Sequence, residues 1–289
     1  MIDFLQLTFS GLAQGAVYGL VALGFVAVFA VREIVNLAQG EYSSLAGLAA
    51  ITAVASGLPL LVAILLVVPF VVIVSVVIER IAIAPVKKMT PLVSIILTLG
   101  VSTAMKAIML LVWGPEGQSL EPFPGHNFVV GGVSIRSQEL WILGISALLG
   151  YAVVWFYEHT LYGKALRACA EQPIAARLVG ISPKKATMIA FAIAGLVGAV
   201  AGVIGTPIYF ASWESGLALG LKGFVAATLG GLVSFRVAFL GGLFLGVLEN
   251  WVAGYLDSGY RDAVAFVVLV LVLVVRPQGL ALRGSGVRV

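Results

Sequence analysis

The chain has 289 residues, of which 61% are hydrophobic and only 10% charged, with a formal net charge of +4. A soluble domain carries about 25% charged residues, so this composition excludes a soluble globular protein and implies an integral membrane one. A lone cysteine, Cys169, excludes an internal disulfide, and two distant histidines, His126 and His159, form no ligand pair.

The expected fold is an all-α, polytopic helical bundle, with one transmembrane domain over residues 1–289. Apolar runs of about 20 residues mark crossings. They fall near 5–31, 41–56, 59–79, 91–113, 138–158, 186–205, 220–234, 237–256 and 261–276. That makes about eight or nine transmembrane helices, because the second and seventh runs are short enough to be broken or re-entrant segments buried in protein. The N-terminus, Met1-Ile2-Asp3-Phe4-Leu5, lacks the basic region and cleavage site of a signal peptide, so the first run is expected to stay as an anchor. Glycines at four-residue spacing (Gly11, Gly15 and Gly19; Gly198 and Gly202; Gly242 and Gly246) share a helix face and let neighbouring backbones approach closely.

The first polar break covers 32–41. It is either a solvated cytoplasmic turn or a helix broken at depth, whose Asn36, Gln39 and Glu41 line a pathway or brace a neighbour. Lys106 falls inside the fourth run, where a long lysine stem is expected to snorkel outward. An outer loop, 114–137, carries Gly114-Pro115, Pro124-Gly125 and Gly131-Gly132, turn signals that suit a compact hairpin or lid. A second outer loop begins at Thr206-Pro207, and its Tyr209, Phe210 and Trp213 are expected in the interfacial aromatic belt. Late in the eighth run, Glu249 and Asn250 either approach the outer headgroups or line a route and bond a neighbouring helix.

The longest charged stretch is 158–185. Pro173 suits a first helical position and Gly180 a stop, which leaves a helix of about seven residues, roughly 10 Å long. Ser182-Pro183 reads as the cap and start of the next helix. Ile174, Leu178 and Val179, opposed by Arg177, give the short helix an apolar face, so it is read as a docking element against the alternative of an ordinary connecting loop.

Lysine and arginine placement sets the orientation. With 158–185 in the cytoplasm, Arg32, Arg80, Lys87, Lys88, Lys164, Arg167, Arg177, Lys184, Lys185, Arg236, Arg276, Arg283 and Arg288 lie inside, 13 of 17. Arg136, Lys222 and Arg261 lie outside. The N-terminus is then exterior, and a short tail, 277–289, is cytoplasmic. Topology, not nucleic-acid binding, accounts for the positive balance. No phosphate-binding loop is present, which excludes ATP hydrolysis by a Walker-type mechanism, and no His-Glu-x-x-His supports a hydrolase.

Several stretches in order resemble the LivH-type permeases of ATP-driven branched-chain amino-acid importers. Asn36-Leu37-Ala38-Gln39-Gly40-Glu41 is similar to that family's Asn-Phe-Ala-His-Gly-Glu signature, with Leu37 and Gln39 as departures. Gly163-Lys164-Ala165-Leu166-Arg167-Ala168, continuing through Ala175 to Leu178-Val179-Gly180-Ile181, resembles its cytoplasmic loop. Lys222-Gly223-Phe224-Val225, later followed by Gly241-Gly242 and Gly246-Val247-Leu248-Glu249, looks like its late glycine-rich pair. Arg276-Pro277-Gln278-Gly279-Leu280 resembles its close.

The resemblance implies a permease subunit of a bacterial inner-membrane importer. It would work by alternating access for branched-chain amino acids or, in close relatives, urea and short amides. A stand-alone channel or secondary carrier is the alternative class. The implied partners are a second, LivM-like permease, two cytoplasmic ATPase subunits and a periplasmic substrate-binding protein. The chain itself is expected to be no enzyme and to bind no cofactor, with ATP used by the partner ATPase. Residues Gly163, Arg167, Glu171, Pro173, Ala175, Ala176 and Gly180 are the implied ATPase-coupling set, and Asn36, Gln39, Glu41, Glu249 and Asn250 the candidate substrate pathway.

Overall fold

A computed structural model describes residues 2–86 and 89–276. Helix α1 (Ile2–Arg32) leads to a short α2 (Gln39–Ala55), and α3 (Leu60–Ile78) runs on into a π turn, Glu79–Ile83. After α4 (Pro91–Trp113) come β1 (Phe128–Val130), β2 (Val133–Ile135) and α5 (Ser137–His159). Two small helices, α6 (Leu161–Glu171) and α7 (Pro173–Leu178), precede α8 (Pro183–Gly205). The described chain ends with a short α9 (Ser215–Leu229), then α10 (Phe235–Tyr255) and α11 (Arg261–Val275).

Seven of these helices are long and apolar enough to cross a membrane: α1, α3 with its π turn, α4, α5, α8, α10 and α11 with the turn before it. Helices α2 and α9 have 17 and 15 residues. At 1.5 Å per residue they reach about 26 and 23 Å, short of the ~30 Å hydrocarbon core. Among the described residues the bundle therefore has seven long helices and two short ones, and the short ones are the second and seventh apolar runs, as expected. The seventh element also starts earlier than the apolar run near 220–234. Gly231 and Leu232 both take left-handed φ, 62° and 59°, and turn the chain out of the helix after Leu229.

Helix α1 is the axis of the molecule. Of its most apolar stretch 89% is buried, against 22% for α3 and α4 and 6% for α11. A helix that is apolar and buried all round is a core helix, and the outer helices keep Leu65, Ile96, Leu111 and Val274 exposed for lipid. The glycine stripes make the close packing of α1 on α10 possible. A Cβ placed on Gly11 would stand 2.7 Å from Val247 Cα, and one on Gly15 2.7 Å from Leu243 Cα. Gly198 and Gly202 do the same for α8 against α2, facing Tyr42 and Ser43. Close backbone packing of this kind is a principal source of helix association where lipid is as apolar as the side chains.

Local sequence sets the helix starts. Thr90 Oγ1 accepts from the Val93 N–H at 3.3 Å with Pro91 in the first turn, and Thr160 Oγ1 accepts from the Gly163 N–H at 3.0 Å. Pro183 opens α8 as the sequence indicates, although Ser182 makes no side-chain cap bond. In the loop between α4 and α5, Gly131 and Gly132 have φ of 59° and 87° and turn the β1–β2 hairpin. Gln118 then exchanges backbone hydrogen bonds of 2.9 and 2.8 Å with Ala211, which ties this loop to segment 206–214. The expected basic positions Lys87, Lys88, Arg283 and Arg288, the tail 277–289 and the motif after Arg276 lie outside the described residues.

Candidate functional site

The break after α1 is buried rather than solvated. Glu33 takes φ 56°, and the Asn36 side-chain oxygen accepts from the Ala38 N–H at 3.3 Å, a local turn that redirects the chain into α2. Asn36, Gln39 and Glu41 are 1%, 0% and 0% exposed. Gln39 Nε2 donates to the Ala194 carbonyl of α8 at 2.9 Å, and Ser102 Oγ of α4 donates to Glu41 Oε1 at 2.8 Å. Lys106 does not snorkel away: its Nζ lies 3.9 Å from Glu41 Oε1. A carboxylate taken out of water needs such partners, since desolvation penalises an unpaired charge by several kcal/mol.

A second polar cluster joins four helices. Glu249 of α10 is fully buried within the chain, and its Oε2 accepts from Tyr18 OH at 2.8 Å, Gln14 Nε2 at 3.1 Å and Lys222 Nζ at 3.1 Å. Gln14 also bonds Tyr18. Asn250 Nδ2 donates to Gln14 Oε1 at 2.9 Å, and Arg261 of α11 donates to Asn250 Oδ1 at 3.2 Å. Lys222 of α9 completes the set by reaching Asp262 at 2.9 Å. Lys222 is thus an interior residue, with its side chain 12% exposed.

Sequence reading missed Gln14, Tyr18, Ser102 and the pairing roles of Lys222 and Arg261. A signal existed for two of them. Gln14 and Tyr18 are four residues apart and interleave with Gly11, Gly15 and Gly19, so they share the α1 side that meets α10.

Between α1, α2, α8, α9 and segment 206–214 lies a cavity of about 300 Å³. Its walls include Tyr18, Lys222 and Arg261 from the second cluster, with Ser43 of α2 and Tyr209 of segment 206–214. Tyr209 and Trp213 are partly buried and packed against the core, whereas Phe210 is 69% exposed. Among the described residues no group of three His, Cys, Asp or Glu is placed to hold a metal.

The charged segment folds into two helices, of which the first, α6, was not foreseen. Its signal was a three-residue spacing: Gly163, Leu166 and Cys169 are its buried face. Gly163 lies against the end of α5, where a Cβ would stand 2.6 Å from Tyr157 Cα. Arg167 donates to the Glu158 carbonyl at 3.3 Å, and Glu158 also pairs with Arg236 at the start of α10. Helix α7 begins at Pro173 and is followed by Gly180 with φ 84°. Ile174, Leu178 and Val179 are 77%, 85% and 74% exposed. Glu171 and Ala175 are exposed too, while Ala176 turns inward at 4%, so Ala175 and Ala176 do not share one outer face as expected.

Comparison with known proteins covers nearly the whole chain. The family described as "Branched-chain amino acid transport system / permease component" matches residues 7–273. High-affinity branched-chain amino acid transport system permease protein LivH of Escherichia coli (strain K12) is 33% identical, over 96% of this chain and 95% of that protein. The corresponding protein BraD of Pseudomonas aeruginosa is 31% identical with the same coverage. Among solved structures, PsaBC from Streptococcus pneumoniae in complex with Fab superposes with a TM-score of 0.53, over 95% of this chain and 92% of that chain. At 12% identity this likeness concerns the fold alone.

Proposed function

The chain belongs to the branched-chain amino acid transport system permease family, and from that premise we propose that it is the membrane-spanning subunit of an ATP-driven importer of branched-chain amino acids. Helix α7 is the observation that carries the mechanism. A six-residue helix that begins at Pro173 and is followed by Gly180, with Ile174, Leu178 and Val179 bare to solvent, is a knob without a socket among the described residues. Large exposed apolar side chains grouped in one place mark an interaction surface. The socket is a cytoplasmic ATPase subunit, and α6 is the arm that joins its movement to α5 and α8.

In this reading the chain carries no ATP site and binds no cofactor. A second, LivM-like permease and two ATPase subunits complete the membrane unit, and a periplasmic binding protein delivers substrate to the exterior loops. The charge bias puts α6 and α7 in the cytoplasm of a bacterial inner membrane and the hairpin outside. Asn36, Gln39, Glu41, Glu249 and Asn250 brace the broken helices that border the substrate route. Closure of the ATPases pushes on α7 and tips the spans between outward and inward access.

The test is uptake of leucine, valine and urea into proteoliposomes holding this chain alone, and then with the second permease, the ATPases and the binding protein. Leucine and valine are expected to enter only in the complete mixture supplied with ATP. Entry through the chain alone, indifferent to ATP, would make it a channel or carrier, and entry of urea alone would reassign the substrate. Within the complete mixture, Ala175→Glu is expected to abolish uptake while the permease still inserts. Wild-type uptake in that variant would remove α7 from the coupling surface.

A further inference from the structure

We propose that the half-open cavity lined by this single chain is a transient binding site for one α-amino acid on its way through the membrane, an inference that rests on the importer reading above. Size is the first argument. A water molecule's share of liquid is about 30 Å³, so 300 Å³ holds roughly ten such units. Leucine has about nine non-hydrogen atoms, and a volume at the small end of ligand pockets suits a molecule of that size.

The lining supplies the second argument. Val17, Ala201, Ala218 and Leu219 give it an apolar wall suited to a branched side chain. Three other lining residues each hold a buried polar atom with no hydrogen-bond partner: Ser43 Oγ, the Tyr209 hydroxyl and Arg261 Nε. Buried polar atoms in folded proteins are nearly always paired, and each exception needs an explanation. Three exceptions on α2, α11 and segment 206–214, all around one cavity, describe a site that awaits a polar ligand. Apolar walls with a few convergent polar groups are the usual make-up of a small-molecule pocket.

Charge assigns the ends of that ligand. Lys222 is already committed, to Glu249 at 3.1 Å, Asp262 at 2.9 Å and the Tyr18 hydroxyl oxygen at 3.4 Å. Arg261 spends one nitrogen on Asn250 and keeps its Nε–H free, so it takes the carboxylate. Asp262, its side chain 75% exposed, accepts from the ammonium, and the two hydroxyls serve either group. One anion facing two cations, one of them already neutralised, suits a zwitterion better than a free cation. It offers urea nothing charged to recognise. The Gln118–Ala211 bridge joins the roof of the cavity to the exterior loop, which gives a docked binding protein a handle on it.

The experiment uses the complete transporter in proteoliposomes. Absence of ATP-dependent leucine uptake by the wild type would remove the importer reading and this site together. With uptake present, Tyr209→Phe and Ser43→Ala are each expected to lower turnover about tenfold at saturating loaded binding protein, the scale of one lost ligand hydrogen bond. Their melting temperatures are expected to stay at the wild-type value, because neither hydroxyl has a protein partner to lose. In a Ser43→Cys variant, excess leucine is expected to slow maleimide labelling severalfold, and urea to leave it unchanged. Full turnover in both hydroxyl variants, or labelling indifferent to leucine, overturns the site while the importer reading stands. Lost turnover with a lowered melting temperature assigns the hydroxyls to packing and overturns it as well.

Discussion

Glu41 and Glu249 are both fully buried carboxylates, each with a lysine and a hydroxyl as partners, yet they are held very differently. Glu249 Oε2 gathers three donors from two helices, within 2.8 to 3.1 Å. Glu41 Oε1 has one short bond, from Ser102, and a lysine at 3.9 Å, both on α4. The difference follows from where the helices sit. Around Glu249, the glycine stripes bring α1 and α10 to backbone contact, so that short and medium side chains can meet. Helix α4 lies at the periphery with most of its surface turned outward, and it reaches Glu41 through Ser102 and the long stem of Lys106. The cluster at Glu249 locks the core, and the cluster at Glu41 tethers an outer helix that can shift at small cost.

The sharpest way to break this comparison is Lys222→Met. It removes the only ion-pair partner of Glu249 among the described residues and leaves the buried carboxylate to neutral donors, with Arg261 no nearer than Asn250. Loss of one member of a buried pair costs about 3–5 kcal/mol, so a drop of that size in thermal or denaturant stability is expected in detergent. Adding Glu249→Leu should recover most of it, since no stranded charge remains. A single variant as stable as the wild type would mean that Tyr18 and Gln14 satisfy Glu249 unaided.

Next in size is Gly15→Leu, which tests whether close backbone approach is what assembles the cluster. The added side chain meets Gly242 and Leu243 backbone directly, and overpacking costs about 1–3 kcal/mol. Gly100→Leu on the outer helix α4 is the control, because nothing lies within 4 Å of a Cβ there. Equal melting temperatures for the two variants would show that the stripe is not a contact surface.

These contrasts explain what the sequence could and could not reveal. The glycine stripes, the hairpin turn at Gly131-Gly132 and the limits of α7 were legible because each is written within a few neighbouring residues. The clusters were not, because Gln14, Tyr18, Lys222 and Glu249 come from three helices and meet only through space. Composition even misled at Lys106 and Lys222. A lysine near an apolar run looks like a snorkelling or loop residue until the opposing carboxylate is placed beside it. Helix α6 was hidden for another reason: its charged outer face masks a buried stripe of only Gly163, Leu166 and Cys169.

The smallest expected effect belongs to Lys106→Met. The Glu41–Lys106 separation of 3.9 Å is at the limit of an ion pair, and the lysine side chain is 19% exposed. Glu41 is buried, so the pair is worth somewhat more than the roughly 0.2–1 kcal/mol of a surface pair, yet well below the about 3–5 kcal/mol lost when a close buried pair is broken. Ser102 still donates to Glu41 in this variant, so the carboxylate is not abandoned. Adding Ser102→Ala removes that last donor, and the double variant should lose more than the two single losses combined, as coupled neighbours do. A simple sum would mean that Glu41 finds replacement donors and that α4 moves to supply them. A single Lys106→Met as damaging as Lys222→Met would erase the contrast between lock and tether, and with it the argument that α4 is the looser helix.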